Sequence, residues 1–247
     1  DSQEPCLLNG KYLLPRTKAI LHMYTRGGRS FLYASASLAA AFLITSFFLK
    51  ELGEAGFPGN SAVYELINSN QLVQLNSVMV FLSKYGREYV WIPFTTLMFG
   101  LGGKFRRSSL NLISAFIVSI VLGEISKRVM AEPRPFLILH HYHLLLQEPL
   151  DYSYPSGHAL IVSAGAVVVL LTLPYYISIP MTIEALAVSY SRVYVGVHWP
   201  IDVIGGWLLG SSIALVSLYF SPLEEVVYRA LISPFSRIRH GGGRAQR

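Results

Sequence analysis

The sequence predicts an all-α fold: an integral-membrane bundle of six transmembrane helices, with one or two interfacial helices between spans one and two. Three observations carry this. The 247 residues are 52% hydrophobic and only 14% charged, whereas soluble domains carry about 25% charged residues. The mean hydropathy is +0.44. The apolar residues fall in long runs, several near the ~20 that cross a bilayer as a helix, separated by polar or Pro- and Gly-bearing connections.

Residues 31–49 hold no charge and form the clearest span. Residues 90–103 form a shorter second span, expected to start near Tyr85, and residues 108–125 form the third. Residues 159–173 form the fourth, closed by Pro174. Residues 177–195 form the fifth and 200–220 the sixth. Pro200 suits a first helical turn, where its missing N–H is not needed. Between the first two spans, residues 61–82 read as amphipathic helices along the membrane surface. Val63, Leu66 and Ile67, then Val78, Phe81 and Leu82, mark their apolar faces. The whole chain, 1–247, reads as one integral-membrane domain with its core at about 30–221. Residues 222–247 read as a basic cytoplasmic tail, disordered over its Gly- and Arg-rich end from His240. The first apolar run begins some thirty residues in and is long enough to span, so it does not read as a signal peptide. The single cysteine, Cys6, excludes an intrachain disulfide and a cysteine-rich metal site.

The net charge of +6 is explained by topology rather than by nucleic acid. Six spans put both termini on one side. That side holds thirteen of the twenty Lys and Arg, including Lys104, Arg106 and Arg107 after span two. The other side holds Lys50, Lys84, Arg87, Lys127, Arg128, Arg134 and Arg192. Basic segments stay in the cytoplasm, so both termini are expected there.

Three motifs then share the non-cytoplasmic face. Lys127 is followed after six residues by Arg134-Pro135; Pro155-Ser156-Gly157-His158 opens span four; Ser191-Arg192 is followed by His198 and Asp202 at the junction of spans five and six. A phosphate needs several donors, and the arginine fork gives two parallel bonds to its oxygens. Lys127, Arg128 or Arg134 alone reads as a basic helix end snorkelling toward headgroups. Ser156 is a good N-cap, Gly157 admits a ligand to the backbone, and a helix N-terminus attracts anions. His158 sits in that first turn. His198 and Asp202 are four apart, one helical face. A carboxylate on one imidazole nitrogen fixes the tautomer and frees the other nitrogen to attack.

Together these motifs resemble the signature of the type-2 phosphatidic acid phosphatase superfamily, which includes lipid phosphate phosphatases, polyprenyl diphosphate phosphatases and the vanadium haloperoxidases. Every signature position matches, and the spans that carry them cover residues 30–221. The resemblance implies that His198 is a nucleophile forming a phosphohistidine, that Asp202 orients it, and that His158 protonates the leaving oxygen. Lys127, Arg134 and Arg192 would hold the phosphate, with Ser156 and the Gly157 amide. Fixed cations would do what Mg²⁺ does elsewhere, so neither cofactor nor metal is expected. The implied partners are a lipid phosphate and the bilayer. A polyprenyl diphosphate is the first expectation for the substrate. A phosphatidate or phosphatidylglycerophosphate phosphatase is the alternative, and a non-catalytic lipid-binding or scramblase-like protein of the same fold is the alternative of another class.

Other features have plainer readings. His140, His141 and His143 lack an acidic or cysteine partner at ligand spacing, and their loop, 136–153, is expected over the site mouth. Glu124 is expected to pair with Lys127. Glu184 is expected to face the bundle and bond a neighbouring helix. Tyr89, Trp91, Tyr175, Tyr176 and Trp199 are expected as interfacial anchors.

Overall fold

A computed structural model describes residues 28–241 and two short strands, β1 (Leu7–Leu8) and β2 (Lys11–Tyr12), with side chains described as far as residue 228. Cys6, the N-terminal arginines before Arg29 and the last six residues lie outside the described residues. β1 and β2 pair antiparallel, a small departure from the all-α expectation. Among the described residues, every other element is helix.

α1 (Gly28–Leu52) ends at Gly53, which takes φ 69 and stops the helix. α2 (Asn60–Asn68) and α3 (Val73–Tyr85) occupy the expected interfacial stretch. Their outward faces are indeed apolar, with Leu66, Val78 and Phe81 exposed. The inward face of α2 is polar: Asn60, Tyr64 and Asn68, one turn apart, are buried. A π-helical turn, Gly86–Val90, joins α3 to α4 (Trp91–Leu101), so the second span is the end of a longer helical run rather than a separate segment. α5 (Gly103–Met130) takes Lys104, Arg106 and Arg107 into its first turns. After α6 (Pro135–Ile138) and a long loop come α7 (Gly157–Thr172), α8 (Tyr175–Tyr194) and α9 (Pro200–Gly241). Pro174 separates α7 from α8, and Pro200 opens α9. The residues expected as a separate tail continue α9 as helix through Gly241.

Among the described residues, three stretches are long and apolar enough to cross a membrane: Gly28–Leu52, Gly103–Ile138 and Pro200–Tyr228. α7 is shorter but wrapped on all sides, with Leu160, Val162, Ala164, Ala166, Val168 and Val169 in the core. α1, α5 and α8 turn apolar side chains outward, among them Leu43, Phe47, Ile120 and Ile183, as a lipid-facing surface requires. Polar bonds lock the helices. Ser35 and Ser212 each donate to the other's carbonyl at 3.0 Å, tying α1 to α9. Gly206 brings α9 against the start of α7: a Cβ there would lie 2.9 Å from the Leu160 nitrogen and 3.0 Å from the Ser156 carbonyl. This small-residue approach sets Asp202, one turn earlier, beside Ser156.

Two anchors expected at the interface are instead core residues. Trp91 is 1% exposed and Trp199 is 0% exposed. Trp91 Nε1 donates to Glu184 Oε2 at 2.8 Å, and its ring fills the space that Gly165 leaves on α7. Trp199 Nε1 donates to the Pro133 carbonyl at 3.2 Å while its ring packs on Tyr64. Tyr89, Tyr175 and Tyr176 do lie exposed. Glu184 bonds its neighbouring helix as expected. Glu124 pairs with Arg128, at 2.9 Å, and not with Lys127, because Lys127 is engaged elsewhere.

Candidate active site

The three motifs meet at one cavity of about 560 Å³ at the loop end of α5, α7 and α8. Lys127, Arg134, Gly157, His158, Arg192 and His198 line it, while Ser156 and Asp202 are buried against its wall.

His198 is not on a helix. It lies in the turn before α9, made possible by Gly196 at φ 88, where a Cβ would strike the His143 carbonyl at 2.6 Å. The contact with Asp202 forms through the helix cap. Trp199 is the residue before α9, and its backbone N–H donates to Asp202 Oδ2 at 2.8 Å. This is the reach-back half of a capping box. The same oxygen accepts from Ser153 Oγ at 2.5 Å and lies 3.0 Å from His198 Nδ1. Arg134 Nη1 lies 3.3 Å from His198 Nε2. A guanidinium only donates, so Nε2 carries the lone pair and Nδ1 the proton. Burial, then Arg134 and Arg192, hold this imidazole well below its ordinary pKa, so it is neutral at pH 7.

Arg134 is fixed on all sides: Nη1 donates to the Val197 carbonyl at 2.5 Å, Nε to the Asp151 carbonyl at 2.9 Å, and Nη2 to Asp151 Oδ1 at 2.7 Å. Lys127 donates to the other Asp151 oxygen and to the Tyr152 carbonyl at 2.8 Å. Burial would raise the Asp151 pKa, but Lys127 and Arg134 outweigh it and hold the carboxyl below its usual range. Arg192 is anchored through Nη1 to the Ser83 carbonyl at 2.9 Å and to Ser83 Oγ at 2.5 Å. Its Nε is buried without a protein partner, and so is Ser156 Oγ. Ser156 stands at the N-cap position of α7 but makes no side-chain cap bond. The first N–H groups of α7 have no intrahelical acceptor by geometry. Unpartnered buried donors around two cations bridged by a loop carboxylate form a cradle for a tetrahedral anion.

The sequence motifs do not include Asp151 and Ser153, which sit just before Pro155, or Arg87, whose Nη1 would lie 3.7 Å from a Cβ on Gly157. The loop 136–153 does lie over the site, through Pro149 and Asp151. Of its histidines, His143 has a structural part: its backbone N–H donates to Asn68 Oδ1 at 2.7 Å. Among the described residues, no three His, Cys, Asp or Glu side chains gather as a metal site. Away from the cradle the cavity turns apolar, between Trp91 and Ile92 on α4, Phe116 and Ile120 on α5, and Leu160 and Ile161 on α7.

Comparison with known proteins agrees with this chemistry. Residues 108–225 match the model of the PAP2 superfamily. The chain is 55% identical over 193 residues to an undecaprenyl-diphosphatase of Sulfolobus acidocaldarius, covering 76% of this chain and 93% of that one. It is 30% identical to the undecaprenyl-diphosphatase BcrC of Bacillus subtilis, over 71% of this chain and 93% of that one. The fold matches the crystal structure of Aquifex aeolicus LpxE with a TM-score of 0.59 at 29% identity, covering 66% of this chain and 96% of that one.

Proposed function

This chain belongs to the PAP2 superfamily, and on that footing we propose that it is a membrane phosphatase removing the terminal phosphate of a polyprenyl diphosphate. The observation that carries the substrate class is the shape of the cavity. A cationic cradle at one end runs into an apolar slot between α4, α5 and α7, which suits a phosphorylated headgroup on a hydrocarbon tail. The relatives from Sulfolobus acidocaldarius and Bacillus subtilis, named for undecaprenyl diphosphate, support the same choice.

The incoming phosphate displaces Asp151 from Lys127 and Arg134 and takes up Arg192 Nε, Ser156 Oγ and the α7 amides. These donors spread the charge of the transferring group, where most of the catalysis of phosphoryl transfer arises. Neutral His198 attacks the terminal phosphorus through Nε2. The bond from phosphorus to the bridging oxygen breaks, and His158, which takes up a proton once the anionic phosphate offsets Arg192 and the other cations around it, passes that proton to the oxygen as the lipid monophosphate leaves. Nδ1–H stays on Asp202, whose charge stabilises the cation formed on the ring. Water, deprotonated by His158, then attacks the phosphohistidine and releases phosphate, so a hard step becomes two easier ones. No step needs a metal, because three cations already surround the phosphate.

In the bilayer we read six spans with both termini cytoplasmic and the cavity on the opposite face, where a carrier diphosphate is released. The test is phosphate release by purified protein from polyprenyl diphosphate, phosphatidate, phosphatidylglycerophosphate and glucose-6-phosphate, in excess EDTA. We expect polyprenyl diphosphate to give the highest kcat/KM and vanadate to inhibit. A higher value for a glycerophospholipid would move the substrate class. Loss on chelation, restored by Mg²⁺, would overturn the metal-free mechanism, and no release from any would leave only a binding protein.

A further inference from the structure

Behind His198 and Asp202 lies a second buried carboxyl group, outside the three motifs. Glu54 sits in the turn between α1 and α2 and is 1% exposed. Its carboxyl lies beside that of Asp202, within reach of a hydrogen bond that a proton between them would complete. Two ionised carboxylates pressed together away from water repel each other and lose their hydration.

The bonding around the pair is lopsided in a way that one proton resolves. Asp202 Oδ2 takes His198 Nδ1–H, Trp199 N–H and Ser153 O–H, while Asp202 Oδ1 is buried with no donor. Glu54 Oε2 accepts from Asn60 Nδ2 at 3.1 Å, while Glu54 Oε1 is buried with no donor. Each group therefore has one unsatisfied oxygen, and the groups touch. The titratable groups facing Glu54 are Asp202 on α9, Glu132 after α5 and Tyr154 before α7. Lys50, on α1, is turned to Glu132 and to the Met130 carbonyl. Burial, then Asp202, push the Glu54 carboxyl up to about 12.

We propose that Glu54 is held as the neutral acid and donates its proton to Asp202 Oδ1, which makes it a positioning residue for the nucleophile. The bond satisfies the back of Asp202, so Asp202 stays ionised in a dry site with Oδ2 facing His198. Without it, the orphaned Oδ1 favours protonation of Asp202 itself, and a protonated Asp202 is a weak acceptor for His198 Nδ1–H. The effect on rate rests on the reading of His198 and Asp202 given above; the proton on Glu54 does not.

Glu54→Gln and Glu54→Leu separate these cases. The glutamine amide can donate to Asp202 and its oxygen can accept from Asn60, so kcat should stay within about threefold. Leucine leaves a buried oxygen unpaired, costing roughly 10- to 100-fold in kcat. KM should hold, because Glu54 does not line the cavity. The acid limb of the kcat–pH profile should move upward by about one unit in Glu54→Leu only, which a general loss of folded protein does not do. The infrared spectrum of wild type minus that of Glu54→Gln at neutral pH should show the carbonyl stretch of one protonated carboxylic acid, the other buried carboxyl groups cancelling. Absence of that band, or Glu54→Gln as impaired as Glu54→Leu, would overturn the proposal. If Glu54→Leu does not fold, the spectrum and the glutamine variant still decide. If His198→Ala kept turnover, the phosphatase mechanism would fall while the spectrum still reported on Glu54.

Discussion

Asp202→Asn tests how the His198–Asp202 pair works, and the geometry sets its size. In a serine-protease triad the same change reverses the histidine tautomer and costs about 10⁴ in kcat. Here a different result is expected. Trp199 N–H donates to Asp202 Oδ2 at 2.8 Å, and a backbone donor cannot turn away. Ser153 donates to the same oxygen at 2.5 Å. The asparagine oxygen therefore stays in place, and its Nδ2 points at Glu54 Oε1, which can accept through a lone pair. The tautomer survives and only the charge is lost. A unit charge ~4 Å from the imidazolium that forms on attack is worth about 4 kcal/mol at an effective dielectric of ~20, or roughly 10³ in rate. We expect kcat to fall by about 10³ with KM little changed, and ¹⁵N NMR of the imidazole to show Nδ1–H as in wild type. A reversed tautomer, with a loss as complete as in His198→Ala, would refute the capping argument. A loss under about tenfold would remove Asp202 from the transition state.

Rapid quench with ³²P-labelled diphosphate should trap an acid-labile, base-stable phosphoenzyme in wild type and none in His198→Ala; turnover that survives in His198→Ala would end the covalent mechanism. The depressed pKa of His198 has a stability counterpart. The unfolded chain takes up that proton first, so the contribution is complete above about pH 6.5 and lost as the pH falls below it. Melting in detergent should weaken on acidification from pH 7 toward 5, less steeply in His198→Gln, and equal slopes would refute this. A cysteine placed at exposed Gln147 should be labelled by an impermeant thiol reagent in intact cells, with Cys6 protected; the reverse pattern would invert the topology.

What the sequence makes legible is set by local spacing. The motif cations and histidines lie at the ends of apolar runs, and the structure brings Lys127, Arg134, His158, Arg192 and His198 to one cavity, so these lining residues could be read before the fold was known. The break at Pro174 and the start at Pro200 follow from backbone chemistry at single residues. Facing is harder. Trp91 and Trp199 lie near span ends, where an interfacial ring is the ordinary outcome. The small partner that admits Trp91 to the core, Gly165, is on another helix. Glu124 has Lys127 and Arg128 equally available along α5. The choice of Arg128 follows from Asp151, a loop residue that has already drawn Lys127 into the cradle.

The two carboxylates that sequence spacing does not reveal explain each other. The proposed phosphate cradle buries Lys127, Arg134 and Arg192 whether or not phosphate is there, and buried cations without an anion are unstable. Asp151 answers that need from a loop, with a side chain still 54% exposed, so it can leave when a better anion arrives. Asp202 has the opposite problem: its charge must never leave, yet it is fully buried and ringed by donors on one oxygen only. A fixed, neutral acid at its back meets that need, and Glu54 is held there by Asn60 from α2. Both jobs call for a carboxyl group, one exchangeable and one permanently protonated. Nothing in local sequence distinguishes them, because the difference lies in burial, which the tertiary fold alone decides.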